Sequence, residues 1–342
     1  MTNNPIENFS VTPADFRTIG EDLQRPECIL AERDGTLWSA DARGGVVRIA
    51  ADGSQRVIAQ SHSDMFASGN DSADKFTGGT LPNGLAFADN GDIWISNFGT
   101  DRLERMRRNG ETEVVLDSLD GERIGKVNFI ARDSRNRIWI TISTMIPDWS
   151  AALCKSVVDG RVLLYEPGKG VRIVADGLHF TNECKLDARE EYLYVVQTCG
   201  RNVVRFRIGA NGDLTHRETF GPTDHGRFID GIAFDSYGNL WGTYIMNDGI
   251  FAITPDGERK MIFDDSSPEE VRKIDAAFQT GAPLGMDFLL ECGGTVAPWC
   301  ASVTFGGPDL KTVYVGSLRG TTIPYFTAPV AGLPMVHWAA TF

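Results

Sequence analysis

The sequence predicts an all-β fold, a six-bladed β-propeller of four-stranded antiparallel blades with loop and helix insertions over the hub. Three observations lead there. A short alternating run ending in an aromatic or Val recurs six times, starting at Glu27, Asn83, Asn128, Asn182, Asp230 and Ala301. In four of the six the aromatic (Trp38, Trp94, Trp139, Trp241) stands eleven residues after the leading residue. A second marker, Asp52-Gly53, Asn109-Gly110, Asn211-Gly212 and Asp256-Gly257, follows 14 to 17 residues beyond the aromatic of its own repeat. The leaders are 56, 45, 54, 48 and 71 residues apart, which suits propeller blades, whose small sheets must stack around an axis to bury both faces. A ring of such repeats makes residues 1–342 a single domain, although this length alone would allow two or three.

Each repeat reads as an antiparallel meander. In the second, Leu85 and Phe87 alternate in an inner strand and Asp89-Asn90-Gly91 turns. Ile93 to Ser96 and Leu103 to Arg107 follow as strands, and Asn109-Gly110 turns into the fourth, Glu113 to Leu116. The four tryptophans are expected to fill the space between adjacent blades rather than stack on a ligand. Three segments interrupt the repeat: 59–80, polar and glycine-rich; 145–160, inside the third blade; and 265–299, the longest. In the last, Ser267-Pro268-Glu269-Glu270 starts a helix whose apolar face is Val271, Ile274 and Phe278. Long loops on a rigid scaffold carry specificity, so these three are candidate walls or lids over the hub.

Bulk composition narrows the partners. The net charge of −13 comes from 46 acidic against 33 basic residues, which opposes binding to a phosphate backbone and favours cations. The first twenty residues lack a basic start and an apolar run, and no stretch is apolar enough to span a bilayer, so neither a signal peptide nor membrane contact is expected and the default address is cytoplasmic. The six cysteines (Cys28, Cys154, Cys184, Cys199, Cys292, Cys300) show no CxxC pair or zinc-finger spacing and read as core residues. The expected partner is a small molecule, with no nucleic acid; nothing in the sequence specifies an oligomeric state.

Five of the six leaders are oxygen donors. Asn-Gly and Asp-Gly are turn dipeptides, which would account for Asn83-Gly84 and Asp230-Gly231 without a ligand. That reading does not extend to Glu27-Cys28, Asn128-Phe129 or Asn182-Glu183. Because each leader holds the same place in its blade, all should project into one end of the central channel. Glu27, Asn128, Asn182 and Asp230 then offer two carboxylates and two amide carbonyls, an all-oxygen set suited to one hard divalent ion, calcium first, with magnesium, manganese or zinc as alternatives. Two buried carboxylates repel each other unless a cation lies between them. No leader is a histidine, and no GxSxG element supports a serine nucleophile. Asn83 remains as a contact for substrate or water.

These residues, with the terminal TFGGPDLKTVYVGS, resemble the six-bladed propellers of the SMP-30/gluconolactonase/luciferin-regenerating-enzyme-like group over roughly residues 20–325. The resemblance implies a metal-dependent lactonase. It matches Glu27, Asn182 and Asp230 to the metal ligands, Asn128 to a further asparagine of the site, and Asp230 to the catalytic base. Lys126 falls where sugar lactonases often carry a substrate-contacting arginine, and alternation should turn it to the channel with Asn128. Where those enzymes read Asn-Asp-Gly-Lys, this chain has Asn128-Phe129-Ile130-Ala131. Phe129, with Phe180 and Trp149 from nearby loops, gives an apolar lining that favours a lactone or cyclic ester less polar than gluconolactone. The expected function is therefore hydrolysis of a lactone by metal-activated water. Alternatives that use the same residues are a phosphotriesterase of the diisopropylfluorophosphatase type, a lyase or isomerase stabilising an enolate on the metal, and a non-catalytic calcium-binding propeller.

Overall fold

The computed structural model describes residues 3–61, 76 and 79–342, and its strands form six four-stranded antiparallel sheets arranged as a ring of blades. Blade 1 is Ile29–Ala31, Leu37–Asp41, Gly45–Ile49 and Gln55–Ala59. Blade 2 is Pro82–Phe87, Ile93–Asn97, Arg102–Met106 and Thr112–Leu116, within a residue or so of the strands read from the sequence. Blades 3 to 5 follow with inner strands Val127–Arg132, Thr181–Leu186 and Ile229–Phe234. Blade 6 has three strands from the C-terminal part, Cys300–Gly306, Thr312–Ser317 and Ile323–Thr327, and takes its outer strand, Arg17–Ile19, from the N-terminal part. Arg17 pairs with Tyr325 and Ile19 with Ile323, so the first and last segments hold the ring shut. An even period in the sequence does not reveal that closure.

The tryptophans lie between blades, and a carboxylate six residues upstream holds three of them. Trp38 Nε1 donates to Glu32 (2.6 Å), Trp139 to Asp133 (3.0 Å) and Trp241 to Asp235 (2.9 Å). Asp235 also accepts three backbone N–H groups in the turn after the inner strand, so one buried carboxylate sets both the hairpin and the indole. Trp94 has Ala88 at the equivalent place and lies instead under the Arg105 guanidinium, 5.5 Å from the ring centroid.

The feature that places the site is a β-bulge. In blades 2 to 6 the ladder between the first two strands slips at the leader: after Pro82, Val127, Thr181, Ile229 and Cys300. A bulge leaves its residue unpaired and re-aims the side chain. Asn83-Gly84 and Asp230-Gly231 are therefore strand residues, not hairpin turns. Glycine is needed after each because the next blade passes close: a Cβ on Gly231 would lie 2.4 Å from the Ala301 carbonyl oxygen, and one on Gly84 would lie 2.7 Å from the Phe129 ring. Hydroxyls on the second strand fill the slip. Ser96 and Thr243 each receive the glycine N–H and donate onward to the neighbouring leader's carbonyl, that of Asn128 (2.6 Å) and Ala301 (2.7 Å).

Insertion 145–160 contains a 3-10 turn, Trp149–Ala152, and insertion 265–299 contains helices α1 (Pro268–Gln279) and α2 (Met286–Leu290). Ser267 caps α1 through Glu270 N–H, and Ile274 and Phe278 are its buried face. Most of insertion 59–80, including His62, lies outside the described residues; Phe76 is described and buried. At the opposite mouth the last residues cross the channel. His337 Nε2 donates to the Ala31 carbonyl (2.9 Å), Leu333 N–H to that of Phe234 (2.8 Å), and the His337 ring stands edge-on to Phe87. All six cysteines are buried and free, as core residues should be.

His337 also makes the closure sensitive to acid. Burial is the main force that pulls its imidazole down to about 4, so the folded ring stays neutral while an unfolded chain takes up a proton below about 6.5. A depressed folded value gives stability that is present above that pH and lost as pH falls towards 4. We predict that between pH 6.5 and 4.5 His337→Gln loses about 2 kcal/mol less stability than the native chain. Denaturant unfolding at both pH values checks this.

Candidate functional site

A narrow cavity of about 60 Å³ lies on the propeller axis at the insertion-bearing end. Its floor is the ring of leaders: Glu27, Asn83, Asn128, Asn182 and Asp230 all line it. Its walls are apolar, and all three insertions reach it, through Phe76, through Trp149 and Leu153, and through Leu289 and Trp299. The insertions also bind one another. Trp149 Nε1 donates to the Phe76 carbonyl (2.8 Å), Leu284 N–H to that of Leu153 (3.1 Å), and the Phe76 and Trp299 rings meet at 5.1 Å. Phe180 adds its ring beside Trp149, 6.4 Å between centroids.

Most of the leaders are fixed by their neighbours. Asn83 Nδ2 donates to the Asn128 carbonyl (2.9 Å) and, at a long 3.4 Å, to Asn128 Oδ1. Asn182 Nδ2 donates to Thr198 Oγ1 (3.2 Å), whose own proton goes to the Ile229 carbonyl (2.8 Å), one residue before Asp230. Asn182 Oδ1 and Glu27 Oε2 are buried acceptors with no hydrogen bond from any described residue. Asp230 is 2% exposed and Glu27 5%. Burial first, and then the charges of Glu27 and Glu183, push the Asp230 carboxyl well above the carboxylate range. Burial also raises Glu27, opposed by Arg25. Both carboxyls are thereby held above the ordinary carboxylate range, with Arg25 opposing the shift.

That cation is the functional residue sequence reasoning missed. Arg25 is 6% exposed, lines the cavity, and places Nη2 2.9 Å from Glu27 Oε2 and 2.6 Å from Asn83 Oδ1. The contact with Glu27 is an ion pair without hydrogen-bond alignment, which is why that oxygen keeps its lone pairs. Arg25 stands two residues before its leader, the position Lys126 holds in blade 3, so the same offset would have found it. It takes a left-handed backbone at φ 56°, as do Phe180, Met246 and Trp299 on the same cavity, a cluster of unfavourable conformations typical of a site.

Two expected members are elsewhere. The Lys126 ammonium does not face the channel: Asp101 takes it at 3.1 Å, and it sits against the Phe98 carbonyl and ring. Phe129 does not line the cavity either. The bulge sends Asn128 up and Phe129 down, where its ring packs under Lys185, 4.3 Å from the ammonium, in the far half of the channel. Glu183 also faces that half; it accepts the Ile232 N–H (3.1 Å) and so braces the strand that carries Asp230. His179 lies in a separate surface groove with Arg201 and Arg217.

The oxygens fit a hard divalent cation: two carboxylates and two amide carbonyls line one cavity, Asn182 Oδ1 is buried with no hydrogen bond from a described residue, and Glu27 Oε2 has only its ion pair with Arg25. Among the described residues no three His, Cys, Asp or Glu side chains gather as a cation site, so a cation here relies on the asparagines.

Residues 107–266, from the second hairpin of blade 2 to the end of blade 5, match the model of the SMP-30/Gluconolactonase/LRE-like region. That stretch, 160 of the 342 residues, is similar to this family's region. The resemblance expected from the leaders Asn128, Asn182 and Asp230 is thereby met, while Glu27 and the blade 6 segment lie outside the matched stretch. No curated protein matches the chain in sequence. Among solved structures, a protein assigned by family to the gluconolactonases is similar at 16% identity and a TM-score of 0.67, covering 97% of this chain and 98% of its own. A gluconolactonase from Xanthomonas campestris is similar at 17% identity and 0.64, over 91% and 89%. The calcium-binding protein regucalcin from Agrobacterium tumefaciens is similar at 15% and 0.61, over 92% and 95%. At such identities the likeness shows the propeller alone. No helix among the described residues is long and apolar enough to cross a membrane.

The buried carboxyl of Asp230 penalises the folded state once ionised. Its raised pKa gives stability that is present in acid and lost as pH rises. We predict that Asp230→Asn makes the metal-free protein more stable at pH 8, by on the order of 1–3 kcal/mol. Unfolding in chelator measures the difference.

Proposed function

We propose that this protein is a metal-dependent lactonase that opens an apolar lactone or related cyclic ester. The observation that supports it most is the cavity in which two buried carboxylates and two amide oxygens form the floor and aromatic and aliphatic side chains most of the walls. The family region in residues 107–266 and the gluconolactonase likeness agree with a hydrolytic reading.

Glu27, Asn182 and Asp230, with Asn128, would hold the cation, calcium first by the hardness of the ligands. Once bound, it would supply the charge that ionises both carboxylates and polarise an acyl oxygen of the ligand. The chain's own groups do the rest. The apolar walls and the meeting insertions exclude bulk water and hold the body of the substrate against the floor. Ionised Asp230 takes a proton from the attacking water as its oxygen bonds to the acyl carbon. The displaced electron pair rests on the acyl oxygen and returns as the ring C–O bond breaks, and the ring oxygen leaves with the proton carried by Asp230. Asn83 keeps Asn128 and Arg25 in register, and Thr198 keeps Asn182 in register.

Walls this apolar disfavour polyhydroxylated sugars, whose hydroxyls would lose water without gaining partners. We predict divalent metal in the purified protein by mass spectrometry, and turnover of alkyl- or aryl-substituted lactones that is abolished by chelation and restored by metal. Asp230→Asn should lose metal and at least about 10³-fold in kcat/KM. Organophosphates in the same panel test the phosphotriesterase alternative, and solvent-oxygen incorporation into product separates hydrolysis from a lyase or isomerase route. Activity that persists in Asp230→Asn contradicts the proposal.

A further inference from the structure

We propose that Arg25 is a substrate-binding residue whose Nε–H donates to the acyl oxygen of a neutral, apolar lactone. The proposal rests on the lactonase reading and adds the residue that recognises the reacting group. Arg25 is the one cation among the described residues that line the cavity. Its terminal nitrogens are committed: Nη1 to the Pro82 carbonyl (3.3 Å), Nη2 to Asn83 Oδ1 and to the Glu27 carboxylate. Its Nε–H is buried and has no hydrogen-bond partner among the described residues. A buried donor left without an acceptor costs about 1–3 kcal/mol, more on a charged group, and such groups in a native fold mark a place where something else binds.

With both amino ends held by protein oxygens, the end-on two-point fork that a carboxylate takes from a free guanidinium is blocked, and the Nε–H is left for an oxygen acceptor. Glu27 offsets the charge of Arg25, so the subsite attracts a polarised neutral oxygen more than an anion. The remaining walls supply no matching set of hydroxyl partners: Thr198 and Asn83 already spend their donors inside the protein. A neutral ring with one exposed carbonyl and an apolar body satisfies that inventory. The left-handed backbone at Arg25 is what turns the side chain in, since Pro26 follows it and Glu27 N–H closes back on the Arg25 carbonyl at 2.7 Å.

The test is calorimetric titration with an alkyl- or phenyl-substituted lactam, the non-hydrolysable isostere of such a lactone, on the full-length protein with and without calcium. The native chain should bind it, and Arg25→Met should bind it about 10- to 100-fold more weakly, the loss expected for one hydrogen bond to a charged group. Arg25→Lys keeps a cation beside Glu27 but has no Nε–H, so it should show the same loss while retaining calcium binding; this guards against a methionine variant that fails to fold. On lactone, the lysine variant should lose kcat more than it raises KM. Equal lactam affinity in native and lysine proteins, or no lactam binding by the native chain, overturns the role of Arg25. Arginine-dependent lactam binding in a protein that opens no lactone would leave this inference standing and remove the hydrolase reading.

Discussion

Two carboxylates, Glu27 and Asp230, are buried on the axis of the ring beneath apolar walls, and the constraint they impose shapes the site around them. Neither has the hydration that would make ionisation cheap, and each raises the cost for the other. Arg25 answers half of the problem by pairing with Glu27. Asp230 is left with Asn182 and a carboxyl raised by burial. A site in this condition is set to take up positive charge, and the buried oxygens of Glu27 and Asn182 that accept no hydrogen bond from a described residue show where.

The bulges make that concentration of polar groups tolerable. An ordinary inner strand would alternate its side chains and bury polar ones in the seam between blades. The slip at each leader lifts one residue out of the ladder, and the hydroxyls of Ser96 and Thr243 satisfy the backbone that the slip exposes. Blade 1 does without a slip. There Glu27 comes just before the strand Ile29–Ala31, and Arg25 occupies the turn that leads into it. The insertions then roof the floor, and the C-terminal residues close the opposite mouth, so the channel opens to neither side as a plain pore.

Much of this could be read in the sequence because the ring repeats itself. A leader and an aromatic about eleven residues apart record one hairpin; six such repeats give the blade count, and the four with identical spacing give the shared position of the leaders. The start of α1 was legible for a local reason, a serine cap followed by proline and two glutamates. Three things were not legible. Ring closure by Arg17–Ile19 depends on a strand too short to show a pattern. The destination of Lys126 was decided by Asp101, a partner 25 residues away in sequence that no periodicity announces. Phe129 went to the far half of the channel because a bulge shifts alternation by one residue, and a sequence shows alternation but not the slip. The hydroxyl thirteen residues after Asn83, Asn128 and Asp230 (Ser96, Thr141, Thr243) is the signal that would have revealed it.

The central claim is that the hub is a cation-seeking site in the metal-free protein, with both of its carboxyls raised by burial. Calcium titration at pH 7 in two buffers of different ionisation enthalpy counts the protons exchanged as the ion binds. The account predicts binding at one site with proton release, since burial raises the Asp230 carboxyl and a bound cation favours its ionised form. Binding without proton release, or no binding at all, would contradict it.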